Sequence, residues 1–320
     1  MKIIRGLHNL TSRYQHAVIT IGTFDGMHIG HQQLLAHVIE QANKLFVPSV
    51  LVTFEPQPAE FLAQPQAGRP RLMRLAEKLR YVSQTALDAV LVLAFNHALA
   101  ELVADDFVKK VIVESLMARA VIVGDDFHFG YQRQGDISLL KKLGKHYRFS
   151  VMALPTIEVA GERASSSRVR DSLLSGNLSL AQQLLGRNYS LSGRVTQGAQ
   201  LGSQLGFPTA NIHIKREYCA LNGVYAVKVY GLQQNALSAV ANIGRRPTVD
   251  GLRLTLEVHI LNFHENIYGR YLEIEFLHKL RDEQKFASID MLKQQIAHDV
   301  QQAQDFFTEG NSHERLQKHS

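Results

Sequence analysis

Two rhythms of apolar and polar positions divide the chain. In the first, short β-branched runs alternate with longer stretches in which apolar residues return every three or four positions. Ala17–Ile21, Ser49–Phe54, Ala89–Leu93, Ala120–Val123 and Phe149–Ala153 read as strands. Gly30–Leu45, Arg71–Thr85, Asp105–Leu116 and Asp136–His146 read as helices, the first with Leu34, Leu35, Val38 and Ile39 on one face. This alternation predicts βαβ units: a Rossmann-like α/β domain, with a parallel sheet and helices on both faces. Ligands of such sheets bind beyond the carboxyl ends of the strands, where the strand order reverses.

After about Gly186 the rhythm changes. Gly193, Gly198, Gly202 and Gly206 punctuate a stretch of strand and loop. The period-2 segments Gly223–Tyr230, Leu252–Leu261 and Tyr271–Leu277 then predict an antiparallel sheet or small β-barrel. A final α-helix closes the chain. Ser288 caps it, Asp290 favours its first turn, and Ile289, Leu292, Ile296, Val300, Ala303 and Phe307 form one apolar stripe. The expected domains are therefore 1–186 and 187–308, followed by an irregular polar tail, 309–320.

Composition narrows the function classes. With 320 residues, 45% hydrophobic and 20% charged, the chain is long enough for two ordinary cores. A net charge of +6 favours anionic partners without choosing among nucleotides, flavin phosphates and nucleic acid. The basic residues are dispersed rather than clustered with stacking aromatics, which argues against a nucleic-acid partner. Cys219 is the only cysteine, which excludes an intrachain disulfide and a cysteine-rich metal site. Met1–Gly6 lacks the apolar stretch of a secretory signal, and no segment approaches the roughly 20 apolar residues of a membrane helix. A cytoplasmic protein with no membrane partner is expected, as a monomer or weak homo-oligomer.

Candidate chemistry begins where the first strand ends. Gly22-Thr23-Phe24-Asp25-Gly26-Met27-His28-Ile29-Gly30-His31 runs from a strand into a helix whose N-terminus can receive a phosphate. His28 and His31, three apart, share a side of its first turn and can donate to phosphate oxygens. A lone histidine at a helix start is ordinarily solvated or bonded to backbone. As metal ligands the pair lacks a third partner at a recognised spacing. Two together after a glycine-rich turn favour nucleotide chemistry. In the second half, Thr209 and Asn211 point to one side of an extended chain, where oxygen donors suit Mg²⁺ and ATP phosphates. Glu257 lies opposite Leu256 and Val258 on its strand and can serve as a base. Taken alone, each is more often an ordinary strand residue. No P-loop pattern exists in the chain.

In combination the motifs are more specific. His28–His31 match the H-x-G-H signature of the nucleotidylyltransferase superfamily. With Gly22–Gly26, Phe54-Glu55-Pro56, Arg74–Arg80, Val123–Gly130 and Ser165–Arg170, in that order, the first half resembles bacterial FAD synthetases. Gly206–Asn211, Asn222–Tyr225, Asn242–Thr248, Leu256–His259 and Tyr268–Arg270 resemble the riboflavin kinase family. The resemblance implies phosphorylation of riboflavin to FMN by the second module and adenylylation of FMN to FAD by the first, with ATP and Mg²⁺. It implies ATP contacts at Gly22, Thr23, Phe24, Asp25, His28, His31, Ser165, Ser166, Ser167, Arg168 and Arg170, and flavin contacts at Phe54, Asp126 and Phe129. In the kinase module it implies ATP contacts at Gly193, Gly198, Gly206, Pro208, Thr209 and Asn211, metal binding at the last two, and Glu257 as the base. Ala199 and Ser203 stand where bacterial members usually carry an acidic residue and an arginine. A class I aminoacyl-tRNA synthetase would need a K-M-S-K-S loop, and none is present. A nucleic-acid-binding barrel on a Rossmann-like carrier would bind RNA with a steep salt dependence and turn over no ATP.

Overall fold

The computed structural model describes residues 1–62, 70–198, 202, 205–216, 218–248 and 251–317. It divides into two compact units, Met1–Ser166 and Ser167–Ser320.

In the first unit, β1 (Lys2–Arg5), β2 (Val18–Ile21), β3 (Ser49–Glu55), β4 (Ala89–Ala94), β5 (Ala120–Gly124) and β6 (Ser150–Leu154) form a parallel sheet in the order β1-β4-β3-β2-β5-β6. Strand alternation sends neighbouring residues to opposite cores. Val18 packs with Leu34, Leu35 and Val38 of the helix Ile29–Leu45, while Ile19 packs with Phe107, Val111 and Leu140 on the other face. Helices therefore cover both sides, as expected. The edge strand β1 went unanticipated because only Ile4 of its four residues is buried.

Two helices depart from their sequence spans for visible reasons. The expected helix Arg71–Thr85 begins only at Leu75, because the N–H groups of Leu72 and Met73 are bound by the Asp25 carboxylate. The expected helix Asp105–Leu116 is α-helical over Ala104–Phe107 and then widens into π-type turns over Val108–Ser115.

The second unit opens with the helices Ser166–Leu174 and Leu178–Leu185, the latter packed on the barrel strands. The division thus falls before Ser167, about twenty residues ahead of the change in rhythm near Gly186. After the short antiparallel pair β7 (Glu158–Val159) and β8 (Glu162–Arg163), strands β9 (Tyr189–Thr196), β10 (Ala210–His213), β11 (Gly223–Tyr230), β12 (Leu237–Thr248), β13 (Gly251–Ile260) and β14 (Tyr271–Arg281) close into an antiparallel barrel in the order β10-β13-β12-β11-β14-β9. Its interior holds Leu256, Val258, Ile274 and the Tyr225 ring, set edge-on to Phe276 at 5.3 Å. The closing helix spans Ile289–Gln317, with Ser288 Oγ accepting the Met291 N–H (3.2 Å). Ile289, assigned to its apolar stripe, is exposed. Far from ending near residue 308, the helix carries most of the polar tail, where Glu314, Arg315, Leu316 and Gln317 are good helix formers. No helix among the described residues is long and apolar enough to cross a membrane.

One ion pair ties this helix to the barrel. Arg281 Nε and a terminal nitrogen donate to both oxygens of buried Asp299 at 2.9 and 2.8 Å, and Gln295 adds a third donor at 2.9 Å. Asp299→Ala leaves a half-covered guanidinium without its counter-charge and should cost about 3 kcal/mol. The check is a urea series followed by the two reactions expected from the sequence, in which the one expected of the second unit fails at a lower urea concentration than in the wild type.

Candidate active sites

The strand order reverses between β2 and β5, so the crevice of the first unit lies beyond Ile21 and Gly124. The chain leaving β2 makes a tight turn in which Phe24, Gly26 and Met27 all adopt positive φ (50°, 82° and 49°). Long-range bonds hold it. Asp25, 1% exposed, accepts the Leu72 and Met73 amides at 3.0–3.1 Å, and its own carbonyl accepts Ser166 Oγ–H at 2.7 Å. The Lys78 ammonium donates to the Thr23 carbonyl and, at 3.2 Å, to Thr53 Oγ1.

His28 caps the helix Ile29–Leu45. Its ring stacks on that of His31 at 3.7 Å between centroids, and Phe24 backs His31 at 4.7 Å. Both Nδ1 atoms are buried without a hydrogen-bond partner. Burial, with the Arg163 guanidinium nearby, lowers the His28 imidazole to about 4. Burial and the neighbouring His28 likewise hold His31 well below its usual range. Near neutral pH both rings are therefore uncharged, suited to donate a hydrogen bond but not to act as fixed cations.

The intervening glycine has a steric reason. A Cβ at Gly30 would stand 3.2 Å from His28 Cε1 and Nδ1. Gly30→Ala should lower the adenylyl transfer expected of this turn about tenfold by displacing the ring. Because alanine favours helix, the thermal midpoint should stay level or rise. Kinetics and a melting curve on one preparation check both halves.

The other residues assigned to this unit are spread more widely. Phe54, at the end of β3, meets Phe95 edge-on at 5.9 Å. Asp126, exposed after β5, pairs with Arg163. Phe129 is buried in the core against Phe127 and Phe107, so both neighbours already cover its ring. Ser165 precedes the helix Ser166–Leu174, whose first turns carry Ser167, Arg168 and Arg170. The latter three belong to the second unit.

In the second unit, the strand register assembles one row on the outer wall of the barrel. Asn211 of β10 pairs with Glu257 of β13, Glu257 with Asn242 of β12, Asn242 with Val224 of β11, and Val224 with Arg281 of β14. All five residues line a cavity of about 250 Å³ between the barrel wall and the closing helix. Thr209 joins Asn211 at one end, whereas Phe286, Leu292, Ile296 and Val300 supply an apolar roof. Side chains at Gly198 or Gly202 would collide with Asn211 or with the backbone beside Thr209, so the loop backbone approaches both polar residues closely. Gly193 likewise abuts the His213 carbonyl. Gly206 adopts φ 90°, and the Pro208 carbonyl accepts the Nδ1–H of His259 at 2.8 Å. Ala199 and Ser203 lie outside the described residues.

Two family models match the chain: FAD synthetase over residues 10–168 and riboflavin kinase over residues 185–307. The bifunctional riboflavin kinase/FMN adenylyltransferase of Escherichia coli (strain K12) is 46% identical over 96% of this chain and 98% of its own length. That of Haemophilus influenzae is 43% identical over 96% and 99%. This chain belongs to the bifunctional riboflavin kinase/FMN adenylyltransferase family. It is an enzyme with a riboflavin kinase module in its C-terminal region and an FMN adenylyltransferase module in its N-terminal region. A crystal structure of a macrolide-efflux protein from Streptococcus pneumoniae has the same architecture, with a TM-score of 0.82, 29% identity, and coverage of 95% of this chain and 99% of that one.

Against this family background, three residues stand out that sequence reasoning had not assigned. Lys78 carried a readable signal, because it occupies the apolar register Leu75, Lys78, Leu79, Val82 of its helix. Asn242 was visible only as a polar residue within a family-like run. Arg281 had no local signal, since its place in the row depends on cross-strand register.

Proposed function

We propose that riboflavin phosphorylation takes place along the row Asn211–Glu257–Asn242–Val224–Arg281 and adenylyl transfer at the His28–His31 turn. What supports this reading most directly is the register that brings Thr209, Asn211 and Glu257, all matched to the kinase family, onto one cavity wall. Neighbouring strands lie roughly 4.8 Å apart, so the row offers a graded surface from phosphate end to flavin end. Thr209 and Asn211 take the ATP phosphates. The apolar roof of Phe286, Leu292, Ile296 and Val300 takes the flavin ring. Between them, Glu257 accepts the proton of the ribityl hydroxyl as that oxygen attacks the γ-phosphate and the bond from the γ-phosphorus to the bridging oxygen breaks, releasing ADP.

The donor set fits Mg²⁺. Thr209 Oγ1 and the Asn211 amide oxygen are hard oxygen ligands, and an ion that keeps waters and phosphate oxygens in its shell needs few protein ligands. Bound there, Mg²⁺ would offset the negative charge of the ATP phosphates.

In the first unit, the attacking FMN phosphate is already a nucleophile, so no covalent enzyme intermediate is required. The chain orients two polyanions and stabilises the charge that develops at the α-phosphate. His28 and His31 donate to that phosphate as neutral imidazoles. Asp25 and Phe24 act by shaping the turn, the first through the Leu72 and Met73 amides and the second against the His31 ring. Phe129 supports the flavin side from within the core.

Asn211→Leu tests the metal assignment. It should raise the Mg²⁺ concentration for half-maximal riboflavin phosphorylation at least about tenfold and leave that for FAD formation unchanged. An unaltered Mg²⁺ curve would remove Asn211 from the metal site.

A further inference from the structure

Lys78 is a buried ionisable group with no task in the reactions proposed for the two units. Lys78 is 1% exposed and sits in the apolar stripe of the helix Leu75–Val82, where a methionine would fill similar space without burying an amine. Its ammonium closes a three-membered network. Nζ donates to the Thr23 carbonyl and to Thr53 Oγ1 (3.2 Å), and Thr53 Oγ1 donates to the same carbonyl at 3.4 Å.

This network bears on the turn after β2. In a trans peptide the carbonyl of one residue and the N–H of the next point in opposite directions. Drawing the Thr23 carbonyl inward towards Lys78 therefore aims the Phe24 N–H outward. That N–H has no hydrogen-bond partner among the described residues, although the Phe24 side chain is buried. Phe24 also holds φ 50°, a left-handed conformation that places successive N–H groups to suit an anion. The bond from Lys78 to the preceding carbonyl fixes the peptide on one side of Phe24, as the Asp25 bonds fix the residue on the other.

We propose that Lys78 is a positioning residue for adenylyl transfer, its ammonium pinning the Thr23 carbonyl so that the Phe24 amide is presented to an ATP phosphate. This rests on the reading that the turn 22–31 holds that phosphate.

The charge has a consequence for pH. Burial lowers the Lys78 amine to about 8. Asp25 on the turn and Glu55 and Glu60 on and after β3 support the charged form, while Arg71 ahead of the lysine's helix opposes it. His31, on the helix facing it, stays neutral and adds no charge. The ammonium therefore persists below about pH 8 and is lost above it.

The test is a pH series from 7 to 9.5 on the full chain, measuring FAD formation from supplied FMN and, in the same samples, FMN formation from riboflavin as a check on folding. The wild type should lose at least tenfold in adenylyl transfer rate at saturating substrates across the upper part of this range. Lys78→Met should start at least tenfold lower at pH 7 and show no alkaline loss, with riboflavin phosphorylation intact. Thr53→Val, which keeps the lysine and removes one partner, should move the alkaline loss to lower pH. A flat wild-type profile, or a Lys78→Met chain that keeps both the rate and the alkaline loss, overturns the proposal. A parallel His28→Ala/His31→Ala chain separates the two levels. If it still forms FAD at the normal rate, the phosphate site itself is misplaced. If it does not, a negative Lys78 result counts against the lysine alone.

Discussion

Glu257→Gln should lower riboflavin phosphorylation by about 10²–10³-fold while supplied FMN is still converted to FAD at the wild-type rate. The amide preserves the size of the carboxylate and its place in the register between Asn211 and Asn242, so the cavity wall keeps its shape. What it removes is the capacity to take a proton. Phosphoryl transfer depends mostly on positioning and charge stabilisation, which sets the loss below that expected for a reaction limited by proton removal. Chromatographic separation of riboflavin, FMN and FAD after timed incubation with ATP and Mg²⁺ reads both steps from one sample. Normal FMN production by the variant would leave Glu257 without a part in the chemistry.

The double substitution His28→Ala/His31→Ala should produce the converse pattern. Riboflavin is consumed, FMN accumulates, and FAD formation falls by about 10³-fold. Loss of one preorganised donor to a developing charge costs roughly 10²–10³-fold, and two stacked donors that act as a unit cost less than the product of two such losses. Because both imidazoles are held neutral by burial, their effect should not decline as the pH rises from 6 to 7.5. A chain whose FAD formation requires imidazolium would decline over that range. Single-turnover assays with FMN in excess provide the comparison.

Much of this was legible in the residues, for reasons that differ between the halves. Period and β-branching gave the parallel sheet, since a strand buried on both faces and a helix with one apolar face leave different spacings. The H-x-G-H segment was readable because all its parts lie within one turn, and the steric need for Gly30 beneath the His28 ring explains that spacing. In the barrel, the hydrophobic alternation of β13 was plain, but the identity of its neighbours was not. Asn242 and Arg281 reach Glu257's row through pairings between residues far apart in sequence, and a shift of one residue would turn each to the opposite face. The shortened helix at Leu75 was likewise hidden, because what stops it is the carboxylate of Asp25, nearly fifty residues earlier. Phe129 shows the limit of motif reading. The family resemblance points to it for flavin, while only the folded chain shows its ring packed in the core against Phe107 and Phe127.

Asp25 joins three distant stretches of chain: its own turn, the segment at Leu72 and Met73, and Ser166. During synthesis the β2 strand and the H-x-G-H helix emerge long before the last of these partners. The turn after β2 therefore gains the Ser166 bond only once residue 166 has emerged, when the strands of the parallel sheet are already outside. A nascent chain arrested short of that serine should carry its histidine pair in place and still lack one of the bonds that hold the turn before it.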